Sequence, residues 1–169
     1  QMNKNRENYE CWFKGVLRHL YHDANAGFAI LMLAIPLLER YLREKSRVFE
    51  GKLNNDFYRE FVVVFPSITG TGEAEKFWQV YRNGLLHQVT LSLGGWRGRL
   101  MPRGWLSGNA PAVHLDSTTG EFWVDPKKFS EAVISLIDTD FATFEGSGSS
   151  NHPLAQVVVA SGGSSGTSG

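Results

Sequence analysis

The feature that most constrains this fold is the apolar run from Ala26 to Leu38, thirteen residues without a charge. A membrane-spanning helix needs about 20 consecutive apolar residues. This run is shorter, contains Pro36, and gives way at once to Glu39 and Arg40. Its first half is apolar around most of a helical circumference, the pattern of a helix buried among neighbours or under a second subunit. The chain is therefore expected to wrap shorter amphipathic elements around one central helix over residues 27–47, bent or merely interrupted at Pro36.

Those shorter elements have their own signals. Tyr9, Trp12, Phe13, Val16, Leu17, Leu20 and Tyr21 form one apolar stripe and predict a first helix over 8–22. A third helix is expected behind Asn55 as its N-cap, running to Phe65 before Pro66. Its Val62-Val63-Val64 run fits a strand equally well. Glu73 and Glu75 favour a helix start there, and a fourth helix is expected over 73–90.

After Ser92 the periodicity changes, and Gly and Pro divide the chain into short pieces. Residues 112–115 and 121–124, joined by Asp116-Ser117-Thr118-Thr119-Gly120, read as a hairpin. Asp125-Pro126 then pairs an N-cap with a first-turn proline, so a fifth helix is expected to Phe144. The fold class expected is mainly α: about five helices with a β-hairpin insertion over residues 93–125. An α+β arrangement remains open if residues 62–65 or 89–93 join the hairpin. Residues 146–169 carry no charge, and 13 of the 24 are Gly or Ser, the composition of a flexible tail.

Chemistry concentrates in Arg82-Asn83-Gly84-Leu85-Leu86-His87. On an α-helix Asn83 and His87 are i and i+4 and share a face, with Arg82 to one side and able to swing back over it. A fixed cation and a titratable imidazole in one cleft suit work on a phosphodiester. The bland alternative is structural: Arg82 pairs with an acid such as Glu39 or Asp56, while Asn83 and His87 tie the helix to a neighbouring loop.

Formal net charge is zero, but it is unevenly spread. From Phe77 to Leu115 there is no acid, and Arg82, Arg97, Arg99 and Arg103 give +4; residues 116–145 hold seven acids and two lysines, hence −5. The basic stretch also contains Trp78, Trp96 and Trp105. Arginine interleaved with tryptophan suits phosphate contact and base stacking, which makes Arg97, Arg99, Arg103 and Trp96 candidate RNA-binding residues. The competing reading has Trp78 in the core and the arginines on a solvated hairpin.

Arg-polar-x-x-x-His near the end of a helix, in a small mostly helical chain, resembles the HEPN superfamily (higher eukaryotes and prokaryotes nucleotide-binding). The resemblance covers residues 9–91 and the helix at 126–144. It implies a helical bundle that forms a homodimer, with the motif at the shared face. It further implies metal-independent RNA cleavage, with no cofactor, in a toxin or defence setting with a cognate antitoxin or regulatory partner. On that resemblance His87 exchanges protons with the RNA 2′-hydroxyl or the leaving oxygen, Arg82 holds the scissile phosphate, and Asn83 orients one of them. Other members only bind, so a non-catalytic dimeric module for a protein or nucleotide partner is the alternative.

The remaining candidates point elsewhere. His19, His22 and Asp23 lack a second ligand-bearing element and read as helix-terminal polar residues. Cys11 cannot form an internal disulfide and is expected to be a buried thiol. A single cysteine and a polar first ten residues fit a soluble, cytoplasmic protein without a membrane partner.

Overall fold

The computed structural model describes residues 4–92, 95, 96, 99, 100 and 102–146. The first helix begins as α1 (Lys4–Tyr9), widens into a π-helical turn (Glu10–Lys14), and continues as α2 (Gly15–Leu20). The central helix is α3 (Gly27–Ser46), followed by α4 (Asn55–Val64) and α5 (Thr71–Trp78). A π-helix (Gln79–Gln88) runs on directly from α5. Short strands follow: β1 (Gly95–Trp96), β2 (Arg99–Leu100), β3 (Gly104–Leu106), β4 (His114–Leu115) and β5 (Phe122–Val124). Helices α6 (Pro126–Thr139) and α7 (Phe141–Glu145) complete the described chain.

The expected central helix is where its apolarity demands. Ile30, Leu31, Ala34, Ile35, Leu37, Leu38, Tyr41 and Leu42 are all buried, and α2, α4, α6, α7 and the π-helix pack around α3. Five elements therefore cover most of its circumference, more than its length of apolar sequence alone suggested. What remains open is a strip of Phe28, Ala29 and Pro36, with Met32 and Leu33 half-buried between them. Pro36 removes one helical donor but does not end α3, because it stands on this exposed side.

Aromatic packing joins the other helices to the sheet. Phe65 stacks on Phe129 at 5.0 Å between ring centroids. Phe77 stacks on Tyr81 at 4.5 Å and meets Phe122 edge-on at 5.6 Å. Phe57 and Phe61 both meet Trp78 edge-on. This cluster ties α4, α5, the π-helix, β5 and α6 together, and it fixes Tyr81, the residue before Arg82.

Several boundaries differ from those the sequence predicts. Asn54, not Asn55, caps α4, accepting hydrogen bonds from the backbone of Asp56 and Phe57 at 3.0 and 3.2 Å. Val62-Val63-Val64 is helical, because Phe57, Tyr58 and Phe61 bury one helical face. Asp125 caps α6 through Lys128 N–H, with Pro126 in the first turn. The expected fifth helix breaks at Asp140, which turns out of helical geometry to cap α7. Cys11 is exposed rather than buried; it lies in the first π-helical turn. His22 and Asp23 are exposed beyond the end of α2.

The hairpin of β4 and β5 forms as expected, antiparallel, with Leu115 opposite Phe122. A third strand, β3, joins β5 in parallel, so that β5 is central. Neither residues 62–65 nor the described part of 89–93 enters this sheet. Strands β1 and β2 form a separate two-stranded ribbon.

Candidate active site on a π-helix

The motif lies wholly within the π-helix Gln79–Gln88, and this changes its geometry. A π-helix bonds i to i+5 instead of i to i+4, which is rare and is frequent at functional sites. Arg82 and His87 are five apart, so the wider turn brings them into line. Arg82 Nη1 lies 2.8 Å from His87 Nε2. The arginine is thus not off to one side of the imidazole, as α-helical spacing predicts, but directly against it. Val89 in left-handed geometry, φ 52°, closes the helix, and its N–H reaches Gly84 and Leu85 carbonyls.

A second set of contacts fixes the arginine from behind. Glu39 on α3 accepts from Arg82 Nε at 2.9 Å and from Nη2 at 3.5 Å. Glu39 is only 13% exposed and also binds Arg43, at 2.8 Å from Nη2. Arg82 Nη1 further donates to Asn83 Oδ1 at 3.0 Å, and Asn83 Nδ2 donates to Gln79 Oε1. The structural pairing foreseen for Arg82 therefore exists, and its acid is Glu39; Asp56 instead pairs with Arg59. Asn83 binds within its own helix, not to a neighbouring loop.

The contact also defines the imidazole. Arginine carries donors only, so Nε2 of His87 must accept. Accepting there requires the tautomer whose proton sits on Nδ1. His87 is exposed and Arg82 about a third exposed, so the lone pair on Nε2 faces a guanidinium at the surface. A phosphate taking the place of His87 on Nη1 would release that lone pair as a base.

Glu39 also lines a cleft of about 420 Å³, together with Pro36, Arg40, Arg43, Glu44 and Phe49. Arg40 is engaged there, donating to the Phe144 and Glu145 carbonyls at 2.8 Å each. Among the described residues no cluster of His, Cys, Asp and Glu is arranged to hold a metal ion. No described helix is long and apolar enough to cross a membrane.

The other sequence candidates are more scattered. Arg103 is exposed on the segment leading into β3. Trp96 and Arg99 face one another in the backbone register of the β1–β2 ribbon, and Arg97 lies outside the described residues. Trp78 is a core residue, 2% exposed. Sequence reasoning missed Gln79 and the partnership of Glu39 with Arg43. The signal for Glu39 was present, since it is the first charge after the apolar run on the central helix.

Tyr81 connects this site to the sheet. Its hydroxyl donates to the Trp105 carbonyl at 2.9 Å and accepts from the Trp105 N–H at 3.0 Å. Burial holds its phenol well above the usual tyrosine range. Gly104 permits this approach: a Cβ there would lie 2.9 Å from the Tyr81 hydroxyl and from Val80 Cγ1.

No family model, curated protein or solved structure matches the chain. The class that fold and site define is a mainly helical protein with a small sheet and a surface Arg–His pair buttressed by a glutamate.

Proposed function

We propose that this chain is a HEPN-like, metal-independent endoribonuclease of toxin or defence type, acting on an RNA phosphodiester through Arg82 and His87. The observation that carries the reading is the 2.8 Å contact of Arg82 Nη1 with His87 Nε2, made at the surface by a π-helix. A non-bridging phosphate oxygen takes over Arg82 Nη1, where charge-assisted binding is strongest. His87 Nε2 then removes the proton of the 2′-hydroxyl. The 2′-oxygen attacks phosphorus and the bond to the 5′-oxygen breaks, leaving a cyclic phosphate. The 5′-oxygen leaves with a proton from an imidazolium. In a two-fold dimer that imidazolium is the second copy's His87, and the strip of Phe28, Ala29 and Pro36 on α3 is the contact surface. Asn83, bonded to Arg82, orients it. A DNA strand lacks the attacking hydroxyl, so the substrate is RNA.

A second reading has one specific observation in its favour. Glu39 already neutralises Arg82, as it would in a non-catalytic dimeric module that binds a protein or nucleotide partner. One experiment separates the two. Cleavage of single-stranded RNA is followed in EDTA for the wild type and His87→Ala. General acid–base roles contribute about 10²- to 10⁴-fold, so a loss of that size in His87→Ala supports the nuclease. Equal residual cleavage removes His87 from catalysis and leaves the binding module.

A further inference from the structure

Strands β3, β5 and β4 present one row of rings on their outer face. Trp105 is opposite Trp123 in the parallel pair, and Trp123 is opposite His114 in the antiparallel pair. Side chains alternate across a sheet, and burial follows that rule here. Phe122, Val124 and Gly104 are buried beneath, whereas Trp105 and His114 are exposed and Trp123 half-buried above. The two indoles lie nearly parallel, 20° apart with centroids at 5.5 Å. Trp105 is 39% exposed, a large apolar side chain left open at the surface.

This row has no role in the core. Alternation along β3 turns Gly104 inward and Trp105 outward, beside the inward Phe122 and Val124 of β5. Trp105 is instead held outward at both ends. Its backbone is gripped by the Tyr81 hydroxyl, and its indole Nε1 donates to Glu121 Oε2 at 3.0 Å. A ring fixed in this way loses little further freedom when a flat ligand stacks on it.

We propose that the His114–Trp123–Trp105 row is a stacking platform for unpaired nucleobases of single-stranded RNA. Three observations select this occupant. Aromatic rings on a small sheet's outer face suit base stacking, which is worth about 1–3 kcal/mol per base and tolerates any sequence. Arg103, exposed and with no side-chain hydrogen bond or ion pair among the described residues, supplies a cation for the backbone beside Trp105. The platform is also tied to the motif helix: Tyr81 precedes Arg82, and Gly104 N–H donates to the Leu91 carbonyl at 2.8 Å, four residues past His87.

The inference rests on RNA as the ligand but not on cleavage, so it is tested in a chain that does not cut. His87→Ala is titrated in EDTA with a fluorescent eight-nucleotide single-stranded RNA and, separately, with the same RNA as a duplex. Single-stranded RNA is expected to bind and to quench tryptophan emission, the duplex far more weakly. Adding Trp105→Ala is expected to weaken binding by roughly tenfold, the lower-middle of the range for one stacked base. Trp105→Phe, which keeps a ring, is expected to stay within about twofold. Equal affinity for Trp105→Ala, equal affinity for the duplex, or no binding at all would overturn the platform. Because cleavage is absent from every arm, a failure of the nuclease reading leaves this result untouched.

Discussion

Arg82 spends its donors in three directions, and that division decides how it behaves. Nε and Nη2 face Glu39, while Nη1 serves Asn83 and His87. Glu39 therefore fixes the guanidinium plane, with Nη1 directed to Asn83 and His87. Replacing it by Gln keeps the shape but removes the charge that orients both Arg82 and Arg43. Misplacement of about 1 Å at a reacting centre costs up to about a hundredfold in rate. On the nuclease reading, Glu39→Gln is expected to lower kcat markedly while the chain stays folded, as read by RNA cleavage alongside circular dichroism. Unchanged kcat would show that Glu39 only neutralises Arg82. Arg82→Lys is the harsher change at the same place, because an ammonium cannot fork between Glu39 and His87.

The helix that carries the motif ends under strain. Val89 is β-branched, 71% exposed and held at φ 52°, a conformation that costs about 1–2 kcal/mol for a residue with a Cβ. Glycine adopts it freely. Val89→Gly is expected to raise Tm by a few degrees, since about 1 kcal/mol shifts a domain of this size by 2–4 °C; a lower Tm would mean the valine side chain makes a contact that outweighs its strain. Such local devices were the least legible part of the sequence. Helix existence followed from apolar stripes at 8–22 and from Asp125-Pro126, where propensity, capping and packing agree. The π-helix did not, because no residue type marks an i to i+5 turn. The parallel strand β3 was equally hidden, since only Gly104 fits against Tyr81 and a three-residue strand leaves no periodicity to read. The site was legible as residue identities and illegible as geometry.

At the scale of the molecule, the apolar side chains that α3 leaves open among the described residues are the strip of Phe28, Ala29 and Pro36, flanked by the half-buried Met32 and Leu33. If the catalytic reading holds, a second copy covers that strip and supplies the other imidazole. Sedimentation at micromolar concentration is then expected to give about twice the 18.9 kDa chain mass, and Phe28→Lys is expected to return the single-chain mass with the helical spectrum intact. A monomer throughout would count against a shared site and in favour of a module that meets its partner one-to-one.

The π-helix also bears on how such a pair is written in a genome. In a regular α-helix, residues meet along the axis at a separation of four; here the widened turn makes the same meeting at five. One inserted residue and one local change of winding cancel each other, so the chemistry is preserved while the spelling shifts. Two lineages could hold an identical guanidinium–imidazole couple with different numbers of letters between them. A search that demands a fixed interval would separate them, and one that allows either interval without asking about winding would admit chains in which the two side chains point apart. What brings the two side chains together here is the winding of the helix, and the count of residues between them is only one way of setting it.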